Sequence, residues 1–152
     1  MFSIDSNKPY ALYIEDDADD VELLNLALSD TKILLDIVHV WNGVEALNLL
    51  NDLKPYRPLP SVIFLDINMS KLNGKETYLC LQADKDVSKI PVIMLSASTY
   101  KNDVEFFNSK RVPYIVKPGN MQQFKNDINT TLKSVLAFDF DFSSSRRNTD
   151  AA

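Results

Sequence analysis

A single cysteine, Cys80, stands in the whole chain, so no internal disulfide is available and the core must hold without covalent staples. At 152 residues the chain is long enough to do so as one ordinary domain. Long apolar runs are missing as well: none approaches the roughly 18 residues that mark a membrane span. The opening "MFSIDSNKPY" has neither the basic start nor the apolar stretch of a secretory signal, so a cytoplasmic protein with no membrane partner is expected. Basic residues are in deficit, 16 Lys and Arg against 21 Asp and Glu, and the net charge of -5 argues against a nucleic-acid-binding face.

What the sequence does contain is a rhythm. Five short apolar runs, "YALYI" (10–14), "LLDIVHV" (34–40), "SVIFL" (61–65), "PVIML" (91–95) and "PYIV" (113–116), have strand character. The first, third and fourth are apolar almost throughout, as strands covered on both faces should be. Between and after them lie amphipathic stretches at helical spacing: Val21, Leu24 and Leu28 in one, Val44, Leu47 and Leu50 in the next. "GKETYLCLQAD" and "YKNDVEFFNSK" continue the series, and "NMQQFKNDINTTLKSVL" closes it with Met121, Phe124, Ile128, Leu132 and Val135 on one side. Strict alternation of strand and helix implies an α/β fold, a parallel sheet sandwiched between helices.

Ligands of such sheets bind beyond the carboxyl ends of the strands, so the residue after each apolar run carries the most information. Glu15, Asp16 and Asp17 follow the first strand, Asp66 the third, Ser96 the fourth and Lys117 the fifth. Carboxylates gathered on one rim repel one another by a few kcal/mol even at an effective dielectric of about 20, and a divalent cation relieves that repulsion. An all-oxygen ligand set points to Mg²⁺, which keeps several waters and accepts a phosphate oxygen. Lys117 balances phosphoryl charge, Ser96 donates a hydrogen bond, and one carboxylate is left to act as nucleophile. The set describes phosphoryl transfer through an aspartyl phosphate.

In order and context, "YIEDDADD", "VIFLDINMSKLNG", "PVIMLSAS" and "PYIVKP" resemble the four signature segments of response regulator receiver domains from bacterial two-component signalling. The resemblance covers roughly residues 8–136. It implies a doubly wound, five-stranded parallel sheet of flavodoxin-like order 2-1-3-4-5. By the same resemblance Asp66 is the phosphoacceptor, charged by a sensor histidine kinase or a phosphotransfer protein, and Asp16 ligates Mg²⁺ directly while Glu15 holds a metal-bound water. The carbonyl of Asn68 is the remaining protein ligand, Ser96 the switch hydroxyl, Tyr114 the aromatic that swings inward with it, and Lys117 the phosphoryl-contacting lysine. Lys117–Pro118 is the peptide that the family makes cis. Asp17 reads as an outward-facing neighbour. The resemblance describes a switch rather than a conventional enzyme, one that catalyses its own phosphorylation and slow dephosphorylation and changes its protein-binding surface. Receivers of this length often pair through that surface, which makes a homodimer one expected assembly.

Several positions depart from the family pattern. Ser70 replaces the usual proline, Ser96 the commoner threonine, and Gly119 a bulky apolar residue, while "NSKRVPY" lacks the small residues usual before the fifth strand. His39, the sole histidine, reads as a packed side chain away from the rim, and Cys80 as a packed thiol. Residues 1–136 form the expected receiver domain. "AFDFDFSSSRRNTDAA" after it suggests a mobile tail or, through alternating Phe138, Phe140 and Phe142, a short strand. Taken as complete, the chain reads as a stand-alone receiver that signals through an unknown downstream protein. The alternatives are a receiver-like module that binds partners without phosphorylation and an aspartate-nucleophile phosphatase. In the phosphatase family the nucleophile follows the first strand and a second aspartate stands two positions on, whereas here position 68 is Asn. A flavodoxin-like flavin protein is disfavoured because Glu15, Asp16 and Asp17 fill the loop where a flavin phosphate needs donors.

Overall fold

The structure is a computed structural model that describes residues 4, 5 and 7–147, with side chains up to residue 136. Strands and helices alternate as β1 (Tyr10–Ile14), α1 (Ala18–Ser29), β2 (Asp36–Val40), α2 (Gly43–Leu53), β3 (Val62–Leu65), α3 (Gly74–Ala83), β4 (Val92–Ser96), α4 (Lys101–Ser109), β5 (Tyr114–Val116) and α5 (Met121–Arg147). One turn of 3₁₀-helix, Val87–Lys89, precedes β4. All strand pairs are parallel, in the order β2-β1-β3-β4-β5.

Period-two alternation along the strands divides the core into two layers. Leu12, Ile14, Ile63, Leu65 and Met94 pack toward α2, α3 and α4, meeting Leu50, Leu81 and Phe107. Ala11, Tyr13, Phe64, Ile93 and Leu95 pack toward α1 and α5, meeting Leu24, Phe124, Ile128 and Leu132. Both faces of β1, β3 and β4 are thereby covered, which is why those strands read as unbroken apolar runs.

Side-chain oxygens open four of the helices, Asn120 doing so for α5 by accepting the Gln123 N–H at 3.1 Å. Asp17 accepts from the Asp19 N–H at 2.9 Å, Asn42 from Glu45 at 3.0 Å and Asn73 from Glu76 at 2.9 Å. Glu45 in turn accepts the Trp41 N–H at 2.9 Å, one residue before the Asn42 cap, and ties the strand exit to the first turn of α2.

Three sequence expectations change. Val44 is 43% exposed, because the buried stripe of α2 runs through Gly43, Ala46, Leu50 and Leu53. Cys80 is exposed rather than packed, since the inward face of α3 is taken by Thr77, Tyr78 and Leu81. The backbone of α5 continues as helix to Arg147, through the residues where the sequence allowed a short strand. No glycine or proline between 134 and 147 stops it. The rest of the expected tail, 148–152, lies outside the described residues.

Arg111 ends α4 in the left-handed region, at φ 58°, where the Val112 N–H turns back to the Phe107 carbonyl at 3.0 Å. Glycine holds that position without strain. Arg111→Gly should raise stability by up to about 1 kcal/mol, read as a higher urea midpoint at unchanged slope.

Candidate functional site

Register aligns the ends of β1 and β3, Ile14 opposite Leu65, and lets β4 and β5 run two residues further: Leu65 lies opposite Met94, Met94 opposite Tyr114 and Ser96 opposite Val116. The ladder runs one residue further, with Glu15 N–H on the Val40 carbonyl (3.1 Å), Asp66 N–H on Ile14 (3.2 Å) and Lys117 N–H on Ser96 (2.9 Å). Glu15 and Asp66 therefore leave the sheet at one height, level with Leu95 and Ile115, while Ser96 stands one residue and Lys117 two residues further along, so the lysine reaches the carboxylates with its long side chain. One carboxylate oxygen from each of Glu15, Asp16 and Asp66 lies within 4.8 Å of the other two. Glu15 and Asp66 are 1% and 5% exposed, whereas Asp16 faces solvent.

Lys117 closes the cluster from β5. Its Nζ lies 2.5 Å from Glu15 Oε2, 2.7 Å from Asp20 Oδ2 and 3.7 Å from Asp66 Oδ2. Tyr13 donates its hydroxyl to Glu15 Oε2 at 3.1 Å, and the Asp17 N–H donates to Oε1 at 3.1 Å. One ammonium does not balance the carboxylates around it. Burial pushes Glu15 up to about 7 against the pull of Lys117, with the charge of Asp66 adding to the rise. Asp66 is also raised, again chiefly by burial, which outweighs the Lys117 charge, the Ser96 hydroxyl and the Ile67 amide. Lys117 moves up in turn: burial lowers it, but its bonds to Asp20 and Glu15 more than compensate.

Ser96, fully buried at the end of β4, accepts the Ser98 N–H at 3.2 Å. Ser98 donates its own hydroxyl to Asp103 at 3.1 Å and receives the Tyr114 hydroxyl on its carbonyl at 2.6 Å. Asp103 is held from the other side by Lys75 at 2.7 Å. Ser96 and Tyr114 are thus two hydrogen bonds apart through one residue of the β4–α4 loop. Asn68 is exposed in the β3–α3 loop and lines a cleft with Met69, Asn73, Lys75 and Asp103. Gly74 lets α3 start against that loop. A Cβ there would lie 2.3 Å from the Asp66 carbonyl oxygen, so no larger residue fits without moving the backbone that carries Asp66.

Two expectations need correction. No cis peptide occurs among the described residues, so Lys117–Pro118 is trans, the isomer favoured before proline by about 0.5–1 kcal/mol. His39 is packed, edge-on to Trp41 with ring centroids 4.4 Å apart, but it is not remote from the rim: its Nε2 lies 2.7 Å from the Glu15 carbonyl oxygen. Asp17 is exposed, as read. Ser70 supplies what proline would not, an N–H that reaches Asp16 Oδ2 across a long 3.4 Å. A side chain at Gly119 would meet nothing within 4 Å. Asp20 and Tyr13 are the site residues that strand-end reasoning misses. Both were within reach of it: Tyr13 shares its strand face with Glu15, and a first-turn helix side chain such as that of Asp20 tilts back toward the rim.

The donor set fits a small hard cation. Three convergent carboxylates, two of them raised by burial, form an all-oxygen site whose charge is incompletely balanced. Residues 11–129 match the response regulator receiver domain, and the chain belongs to that family. Phosphorylation and Mg²⁺ are typical of these domains, which interact with histidine kinases or other phosphodonors. The chain is 30% identical over 105 residues to response regulator Rcp1 of Synechocystis sp., an alignment covering 67% of this chain and 71% of Rcp1. Among solved structures it resembles the phosphorylated cyanobacterial phytochrome response regulator RcpA, with TM-score 0.74 and 26% identity over 86% of this chain and 96% of that one. The Mn²⁺-bound form of Rcp1 gives TM-score 0.70 and 25% identity, covering 82% and 92%. Other relatives are longer, the chain spanning 34% and 46% of two of them. Among the described residues no helix is long and apolar enough to cross a membrane.

Proposed function

We propose that this chain is a phosphorylation-dependent signalling switch whose acceptor is Asp66. The observation that carries the reading is a buried carboxylate at the sheet rim, grouped with Glu15 and Asp16 within 4.8 Å and facing Lys117 Nζ at 3.7 Å. The donor is a phosphohistidine on a sensor kinase or phosphotransfer protein, because His39 is committed to the Glu15 carbonyl and Trp41. An Asp66 oxygen attacks phosphorus; the O–P bond forms as the P–N bond breaks, the bonding pair stays on the imidazole nitrogen, and Asp66 ends as an acyl phosphate. Lys117 and the Ser96 hydroxyl then face the new phosphoryl oxygens. Mg²⁺, held by Asp16, Asp66 and the Asn68 carbonyl and through water by Glu15, would supply the remaining charge neutralisation.

The switch follows from the Ser96–Ser98–Tyr114 connection. As Ser96 turns toward the phosphoryl group it vacates space beside Tyr114, whose ring moves inward and alters the face of α4, β5 and α5. A downstream protein, or a second copy of this chain, reads that face. The test is intact-protein mass after incubation with acetyl phosphate, in Mg²⁺ or in EDTA. A gain of one phosphoryl group only with Mg²⁺ is expected. No gain in a folded protein would replace this reading with a phosphorylation-independent binding module.

A further inference from the structure

Both short contacts of the Lys117 ammonium are to carboxylates other than the acceptor. Nζ lies 2.5 Å from Glu15 and 2.7 Å from Asp20, against 3.7 Å from Asp66. The two competitors differ in what a divalent cation does to them. Glu15 belongs to the carboxylate group gathered with Asp16 and Asp66, whereas Asp20 lies outside it. A cation held by that group would compete with Lys117 for Glu15, whereas Asp20 would keep its bond to the lysine. Asp20 is fixed by the first turn of α1, whose cap is Asp17. The Lys117 side chain is 9% exposed and that of Asp20 28%, so water screens the pair only partly.

We infer that Asp20 is a positioning residue that parks the Lys117 ammonium off Asp66, so that a phosphoryl group binds only by drawing the lysine out of a charge-assisted hydrogen bond. The inference rests on Asp66 being the phosphoacceptor. Neutralising Asp20 frees the lysine, and the site should then hold a phosphoryl group more tightly. A residue that merely supported the fold would have the opposite effect.

The experiment is calorimetric titration of the full chain with beryllofluoride, an analogue of the aspartate-bound phosphoryl group, in excess Mg²⁺. Asp20→Asn and Asp20→Ala should each bind about tenfold more tightly than wild type, the order expected when one charge-assisted bond no longer has to be given up. Asp20→Glu, which restores the carboxylate, should return toward the wild-type value. Circular dichroism melts establish that each variant is folded, and two different neutral side chains guard against a packing effect of either. Equal or weaker binding in both folded neutral variants overturns the role of Asp20. Failure of the wild type itself to bind beryllofluoride overturns the reading of the site on which that role depends.

Discussion

Asp66→Asn should take up no phosphoryl group from acetyl phosphate in Mg²⁺, yet in EDTA at pH 8 it should be more stable than wild type. An amide cannot act as the nucleophile, so the first effect is complete loss, read by intact mass. The second follows from crowding. Burial raises both Asp66 and Glu15, the latter to about 7, so the metal-free fold favours their neutral forms. A carboxyl group raised in the folded state contributes most at low pH, and that contribution fades as pH climbs through the folded value. Metal-free wild type should therefore weaken between pH 5 and pH 8. Asn at 66 removes one of the crowded charges and should gain about 1–3 kcal/mol at pH 8, with the advantage closing toward pH 5. Mg²⁺ should reverse the order, because it stabilises whichever protein binds it better. Urea melts at both pH values, with Mg²⁺ and with EDTA, decide the matter. A pH-independent difference would refute the crowding argument, and phosphoryl uptake by the variant would refute Asp66 as acceptor.

Much of this was legible because the strongest sequence signals and the strongest structural constraints coincide. β1, β3 and β4 are buried on both faces and so leave long apolar runs; β1 and β3 end where the next residue emerges at the rim, and β4 ends on the rim residue Ser96 itself. Reading Glu15, Asp66, Ser96 and Lys117 as one group needed only the rule that ligands sit at strand carboxyl ends. Other features depended on direction rather than type. Val44 and Cys80 fall on helices with apolar neighbours at adjacent positions, and the pattern alone rotates those helices by the wrong amount. His39 was misplaced because a side chain one strand over reaches the Glu15 carbonyl sideways, across the β1–β2 pairing. Asp20 is a favourable charge in the first turn of α1, which is all its place in the sequence shows; its second contact, to a lysine 97 residues later, exists only once β5 lies beside β4 and α1 packs on α5.

Lys117→Ala should separate phosphoryl uptake from its consequence. The lysine is the one cation in contact with Glu15, Asp20 and Asp66 among the described residues, and its side chain is 9% exposed. Removing it leaves buried carboxylates without a partner, which costs about 3 kcal/mol in EDTA at pH 8. The loss should shrink toward pH 5 as Glu15, raised to about 7, protonates, and Mg²⁺ should recover part of it by taking over the neutralising charge. Acetyl phosphate should still modify Asp66 in the variant, because the nucleophile and the carboxylates grouped around it remain. What disappears is the pull on the end of β5. Lys117 immediately follows β5, three residues after Tyr114, and its N–H is bonded to the Ser96 carbonyl, so its movement toward a phosphoryl group is transmitted to both parts of the switch. Hydrogen exchange resolves the two effects. Wild type should change protection in α4 and β5 on phosphorylation, and the variant, equally phosphorylated, should not. Matching changes in both proteins would mean that Ser96 alone drives the surface and that Lys117 serves only charge.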